Sequence, residues 1–268
     1  MAGSFIDSVR GITRQAVRFL LPVDCAACGL PLADSPIPCF CVGCWNSIVP
    51  IASSRCARCG YPFLSPAATS HAPNHTCQSC RKRPPSYTKA WTLYPYRSPL
   101  REALHLFKYQ GKVSLAAPLA GLITAHLPRF ESLDVIVPVP LHIERLRERE
   151  FNQSLLLADR IGRRLGLPVS CTDLIRCRPA PPQISLRRKE RLKNLRGAFT
   201  VPHPRAVAGK RILLIDDVFT TGATINECAK TLRKAGSSDV FALTLGRTMD
   251  ASHVPDRSFQ RRDGRPSG

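Results

Sequence analysis

Residues Arg211 to Thr224 read RILLIDDVFTTGAT. Four consecutive large apolar residues, Ile212 to Ile215, read as a buried strand. Two acids follow, then a small, hydroxyl-rich turn. From Thr224 a helical pattern begins in which Ile225, Cys228, Ala229 and Leu232 share one face until Gly236 ends it. A turn of this kind at the start of a helix is built for an anion. The first backbone N–H groups of a helix lack internal partners and point outward, and the helix dipole favours negative charge there. Gly222 lets a ligand approach the backbone closely, and Thr220, Thr221 and Thr224 add hydroxyl donors. Asp216 and Asp217 would repel a phosphate, so they need another task, and accepting hydrogen bonds from the vicinal hydroxyls of a ribose fits. A strand end with an Asp cap and a Thr-rich turn explains each residue singly but not all of them in this order. No Walker-type G-x-x-x-x-G-K-[ST] occurs in the chain.

Working outward from this stretch, hydrophobic runs alternate with 3.6-residue patterns. Ala90 to Tyr96 is apolar and strand-like. Leu100, Ala103, Leu104 and Phe107 fall on one helical face, with Lys108 at its C-terminal end. Val135 to Val137 reads as a buried strand stopped by Pro138-Val139-Pro140. Asn152 caps a helix carrying Leu157, Ile161 and Leu165 that ends at Gly166, and Val240 to Leu245 is a further strand. This alternation predicts an α/β fold with a parallel sheet and flanking helices.

The front of the chain is built differently, because nine of the twelve cysteines lie between Cys25 and Cys80. They include four C-x-x-C pairs: Cys25 and Cys28, Cys41 and Cys44, Cys56 and Cys59, Cys77 and Cys80. Each pair can place two thiolates on one tetrahedral ion, so the eight predict one or two structural zinc ions. Sequential pairing leaves twelve and seventeen intervening residues, typical of zinc ribbons, and a cross-braced pairing has the same spacing. An iron–sulfur cluster is the competing metal. Cys39 competes with Cys41, and His71 and His75 lie near enough to enter the second site. Cys171, Cys177 and Cys228 read as small core residues. With no secretion signal read at the start, reduced thiols are expected rather than disulfides.

Residues 1–22 read as an amphipathic segment through Phe5, Ile6, Val9, Ile12, Val17, Leu20 and Leu21, and 250–268 as a disordered basic tail. The expected organisation is therefore a zinc-knuckle module over 23–84 and an α/β domain over 85–249. A net charge of +20, from 39 Lys and Arg against 19 Asp and Glu, favours phosphate-rich partners. No apolar stretch approaches the length of a membrane span, and a cytoplasmic location is expected. Trp45, Tyr87, Trp91, Tyr94 and Tyr96 lie near basic residues and are either core or stacking platforms for unpaired bases.

Arg211 to Thr224 resembles the phosphoribosyl pyrophosphate motif of type I phosphoribosyltransferases. The resemblance implies that Asp216 and Asp217 bind the ribose 2- and 3-hydroxyls. It also implies that Thr220, Thr221, Gly222, Ala223 and Thr224 cradle the 5-phosphate and that Asp217 assists proton transfer, which makes the two aspartates the catalytic candidates. Pro138 to Ser154, PVPLHIERLREREFNQS, and Gln183 to Phe199, QISLRRKERLKNLRGAF, are similar to the ComF family of competence proteins. That family's cysteine-rich front is matched as well. What this second resemblance implies is a protein that binds phosphoribosyl pyrophosphate with Mg²⁺ and handles single-stranded DNA in natural transformation, beside a competence helicase or recombination mediator. Pyrophosphate is then expected near Arg145 and Arg149, with Lys108 and His142 as further candidates, because guanidinium pairs with phosphate through two parallel hydrogen bonds. Where the family has Arg-Gly-Phe-Asn-Gln, this chain has Glu150 in place of glycine. Such a glycine supplies a positive φ that Glu adopts poorly. Arg176 to Phe199, with Arg187, Arg188 and Arg191, occupies the place of a mobile loop over the site. Two other readings follow from the residues: a non-enzymatic nucleic-acid-binding or adaptor protein with a vestigial ribose site, and a base-salvage transferase, which the metal module disfavours.

Overall fold

The computed structural model describes residues 24–32, 34–52, 54–63, 65, 72, 74–178 and 195–249. The expected amphipathic segment, basic tail, His71 and the arginines at 187, 188 and 191 lie outside the described residues.

Among the described residues, two short helices, α1 (Val42–Asn46) and α2 (Gln78–Lys82), precede β1 (Lys89–Pro95). Next come α3 (Leu100–Tyr109), a 3₁₀ turn at Val113–Leu115, α4 (Ala116–Ala125) and β2 (Val135–Pro138). After these lie α5 (Ile143–Arg149), α6 (Gln153–Leu165), the short strands β3 (Ile175–Arg176) and β4 (Phe199–Thr200), and α7 (Pro204–Val207). The last elements are β5 (Arg211–Phe219), α8 (Ala223–Lys234) and β6 (Asp239–Arg247). The main sheet has the order β1-β6-β5-β2 with every pair parallel. β3 and β4 form a separate antiparallel ribbon.

Side chains alternate across a strand, so each strand feeds two cores. Leu213 and Ile215 of β5, with Leu243 and Leu245 of β6, pack under α3, α4 and α6 on one face. Ile212 and Leu214, with Val240 and Ala242, pack on α8 and the β3–β4 ribbon on the other. The anticipated helix face Leu100, Ala103, Leu104 and Phe107 is fully buried. Asn152 caps α6 through its side-chain oxygen, which accepts from Ser154 and Leu155 N–H, and Gly166 closes that helix in the left-handed region.

Both tetrads of cysteines belong to these cores. Cys25, Phe40, Cys44 and Trp45 join the α3–α4–α6 face, and Cys56 and Cys59 join the α8 face. The metal module therefore straddles the edge strand β1. The segment joining its two halves donates from Ile51 N–H to Leu93 O at 2.9 Å, and Arg58 O accepts from Ala90 N–H at 2.8 Å. Arg55 adds a guanidinium bond to Thr92 O at 3.0 Å.

Candidate functional site

β5 does not stop at Ile215 but runs through both acids to Phe219, which sets Asp216 and Asp217 at the carboxyl edge of the sheet. Ligands of open α/β sheets bind outside that edge. Asp217 is buried, and Asp216 keeps a water-facing patch while protein encloses its remaining sides. Asp216 Oδ1 accepts from Ser154 Oγ at 3.1 Å, in the first turn of α6, and from Asp217 N–H at 3.0 Å. Lys108, from the last turn of α3, forms an ion pair with Asp217 Oδ2, which accepts no directed hydrogen bond.

Electrostatics follow from this enclosure. Burial raises the Asp216 carboxyl to about 6, against the pull of Lys108, the Ser154 hydroxyl and Arg176. Burial likewise lowers Lys108 to about 8, opposed by the Asp216 charge and assisted by Arg149. The acid pair and the lysine at this sheet edge form a polar group that a ligand can complete.

Next to the acids, Gly222 is the N-cap of the twelve-residue α8 with φ 73°. A Cβ there would sit 2.3 Å from Phe219 Cζ, so the turn requires glycine. Gly222 offers no side-chain cap, and Thr221 Oγ1 accepts from Ala223 N–H at 3.3 Å, which leaves the remaining first-turn donors facing outward. Thr220 is exposed, and Thr224 lies in the first turn of α8. Helix α8 begins at Ala223, one residue earlier than Thr224.

Of the arginines expected nearby, Arg149 lies over the Tyr109 ring at 4.8 Å, donates to Gln153 Oε1 at 3.1 Å and is felt by Lys108. Arg145 pairs with Glu148 at 2.9 Å on the surface of α5, and its charge reaches Arg176. His142 is the N-cap of α5, its Nδ1 accepting from Glu144 N–H, so it serves the helix rather than standing free for phosphate. Glu150 has φ 63° as the left-handed cap of α5, the conformation expected of a glycine there. Sequence reasoning missed Arg176 as a site residue. It was read as the start of a mobile loop, but Arg176 and Phe199 are paired strand residues. Its guanidinium lies over the Phe199 ring at 5.5 Å, Nη2 is buried without a hydrogen-bond partner, and its charge acts on Asp216. The aromatics raised as stacking platforms are largely core: Trp45, Tyr87 and Tyr94 are buried, and Trp91 is packed against Phe130 and Phe241.

The eight cysteines resolve into sequential tetrads, Cys25, Cys28, Cys41, Cys44 and Cys56, Cys59, Cys77, Cys80. Within each set all sulfurs lie within 4.8 Å of one another, and Cys28–Cys41 and Cys59–Cys77 are 3.9 and 3.7 Å apart. A regular tetrahedron of Zn–S bonds needs about 3.8 Å between sulfurs. The leading knuckles are copies, Cys25-Ala-Ala-Cys28-Gly29-Leu30-Pro31 and Cys56-Ala-Arg-Cys59-Gly60-Tyr61-Pro62, a repeat the sequence reading overlooked. Each closes with a glycine of positive φ and a matching bridge, Asp24 to Pro31 and Arg55 to Pro62. Backbone N–H groups of Cys41 and Cys77 point at Cys25 and Cys56 sulfurs, at 3.4 and 3.2 Å. Hydrogen bonding from Cys59 pulls Cys56 far below the ordinary thiol value, while Cys56 and Cys59 push Cys80 far above it. Four soft donors that cannot all ionise unaided fit a zinc ion, whose charge holds the thiolates. Cys39 and His75 stand outside both tetrads.

The second tetrad is linked to the turn before α8. Arg247, at the end of β6 and 5% exposed, donates to Cys59 O at 2.7 Å and brings Nη2 to 3.9 Å from Cys59 Sγ. The same guanidinium lies over Tyr61 and Phe219, 4.9 and 4.4 Å from the ring centres. Phe219 in turn fills the space that bars a side chain at residue 222.

Residues 16–81 match the double zinc ribbon domain family. Over 215 residues the chain is 30% identical to competence protein F of Haemophilus influenzae, covering 78% of this chain and 90% of that one. The chain belongs to the ComF family. Another relative of this ComF chain is DNA utilization protein YhgH of Escherichia coli K12, 32% identical over 241 residues, covering 85% of this chain and 99% of the relative. Competence protein ComFC of Streptococcus pneumoniae is 27% identical over 216 residues, 78% of this chain and 88% of its own. Among solved structures, the glutamine phosphoribosylpyrophosphate amidotransferase of B. subtilis aligns over 51% of the chain and 26% of its own length, at 20% identity and TM-score 0.33. The adenine phosphoribosyltransferase of Thermoanaerobacter pseudethanolicus aligns over 52% and 83%, at 14% identity and the same TM-score. These two likenesses are loose. The parallel sheet with helices on both of its faces is the α/β architecture expected of this ComF chain.

Proposed function

We propose that the chain binds phosphoribosyl pyrophosphate and handles single-stranded DNA in the cytoplasm during DNA uptake or utilisation. The observation that carries the first part is the set of groups at the end of β5, where Asp216 and Asp217 stand beside Lys108, Arg149 and the open start of α8. In this reading the two aspartates accept from the ribose hydroxyls, and the backbone of residues 220–224 with its threonines receives the 5-phosphate. Lys108, Arg149, Arg145 and Arg176 offer positive charge toward the diphosphate. Mg²⁺, a hard cation that takes oxygen ligands, travels with the diphosphate and offsets its charge. Turnover would form a bond from an acceptor nucleophile to C1 as the C1–O bond to the diphosphate breaks and pyrophosphate leaves, with Asp217 assisting removal of the nucleophile's proton. The names of the relatives, DNA utilization protein and competence protein, support the second part.

A binding-only reading is favoured by one observation: Glu150 sits next to Arg149 and brings an acid to the diphosphate side. Calorimetric titration of the zinc-loaded protein with phosphoribosyl pyrophosphate and Mg²⁺ tests the site. Micromolar binding that disappears in Asp216→Asn with Asp217→Asn is expected. Folded wild type that binds nothing would overturn the proposal, and pyrophosphate release with any acceptor base would overturn the binding-only reading.

A further inference from the structure

On the far end of α8 from the phosphate turn, an open cavity of about 400 Å³ is lined by Arg58, Pro85, Ser86, Lys230, Arg233 and Lys234. Four of the six lining residues are cations and none is an acid. Lys230, Arg233 and Lys234 fall at i, i+3 and i+4 and so share one helix face, where like charges repel by about 0.2–0.5 kcal/mol per pair. Basic residues in a last helical turn ordinarily serve the helix dipole. Here a fourth cation arrives from a different module. Arg58 lies between Cys56 and Cys59 in the second knuckle, and it is held by Nη2 donating to Pro85 O at 3.2 Å, with Nε buried and unpaired. The linker is pinned to the same helix, since Ser86 N–H donates to Asn226 Oδ1 at 2.7 Å. Arg233 pairs with Asp239 at 3.8 Å, and that carboxylate is shared with Arg211 at 3.6 Å and with Thr88 at 2.7 Å. Exposed Arg81, Lys82 and Arg83 run directly into Pro84 and Pro85, which continues the basic path along the chain.

We propose that this cleft between the second zinc knuckle and the end of α8 is a binding site for the phosphodiester backbone of single-stranded DNA. It rests on the DNA-handling part of the proposed function and gives that function a surface separate from the ribose site. No aromatic side chain lines the cavity, so contacts go to phosphates and carry no base preference. A concavity of this size receives one or two phosphates. A flexible single strand conforms to such a surface more readily than a duplex, whose persistence length is about 150 base pairs.

The test is fluorescence anisotropy of zinc-loaded full-length protein with a labelled single-stranded oligonucleotide across a salt series. Lys230→Gln with Lys234→Gln is compared with Arg163→Gln and Arg164→Gln, two exposed cations in the last turn of α6 that remove the same charge from the same helical position. The α8 pair is expected to weaken binding roughly tenfold and to flatten the slope of log K against log salt by about 1.4, the value for two lost single-strand phosphate contacts. The α6 pair is expected to change neither, and Lys230→Arg with Lys234→Arg is expected to bind as wild type. Equal losses in both pairs, or no loss in the α8 pair, overturn the cleft while leaving DNA handling intact. Wild type that binds no oligonucleotide overturns both, and phosphoribosyl pyrophosphate titration then still judges the ribose site by itself.

Discussion

The two zinc ribbons begin with the same knuckle and pair their cysteines in the same order, yet they are employed differently. The first packs Phe40, Cys44 and Trp45 on the α3–α4–α6 face and leaves Cys28 exposed. The second, against the other face, is bound by a buried arginine from β6 that also supports the ring beneath the phosphate turn. Burial and the neighbouring Arg247 charge hold Arg55 below the usual guanidinium range, a sign of how much positive charge gathers beside the second thiolate set. A repeated metal fold thus becomes a buttress in one copy and a link to the turn before α8, the proposed ligand site, in the other, and the difference comes from what the sheet presents to each.

The largest effect expected separates the copies directly. Cys25→Ser and Cys56→Ser should each lower zinc content from two ions to one by mass spectrometry, but only Cys56→Ser should also abolish phosphoribosyl pyrophosphate binding by the remaining folded protein. Equal binding losses would break the distinction. Next, Arg247→Ala should cost about 2–4 kcal/mol in urea unfolding, because it strips a buried hydrogen-bonded charge from Cys59 and the packing from Phe219. Its ligand affinity should fall too, with zinc retained.

A pH series sharpens the comparison by changing the charge of the ligand site while both ribbons stay folded. Asp216 must be ionised to accept from ribose hydroxyls, and its carboxyl is raised to about 6, so affinity should drop about tenfold per unit below that pH. Lys108, lowered to about 8, loses its charge above that value, so calorimetry should find a plateau between pH 6 and 8. The smallest effect comes from a residue that touches neither ribbon. Glu150→Gly should stabilise the protein by about 1 kcal/mol by relieving a left-handed backbone, with zinc content unchanged.

Where local pattern decides structure, the sequence was readable. The Asn152 and Gly166 caps, the buried face of α3 and the acid pair before Gly222 are all short-range signals, and each is in place. Helix α4 escaped notice because its run Ala116–Ala125 is apolar or small nearly throughout and offers no polar face to reveal a period. Arg176 escaped because its pairing with Phe199 joins two residues far apart in sequence, which no local periodicity bridges. Cysteine spacing limited the pairing without choosing it, since sequential and cross-braced arrangements differ only in where the chain travels. The tie from Arg247 to Cys59 joins residues 188 positions apart, and one arginine at a strand end carries no mark of it.

A parallel sheet presents unpaired N–H and C=O groups along its outer strand, and such a border readily recruits another chain. In this molecule β1 is one of the two outer strands, and it is covered by Ile51, Arg55 and Arg58, all from the metal module. Whatever holds the metal module in place therefore also keeps β1 covered. Chelation should uncover β1 to other molecules and leave the protein sticky before it is unfolded.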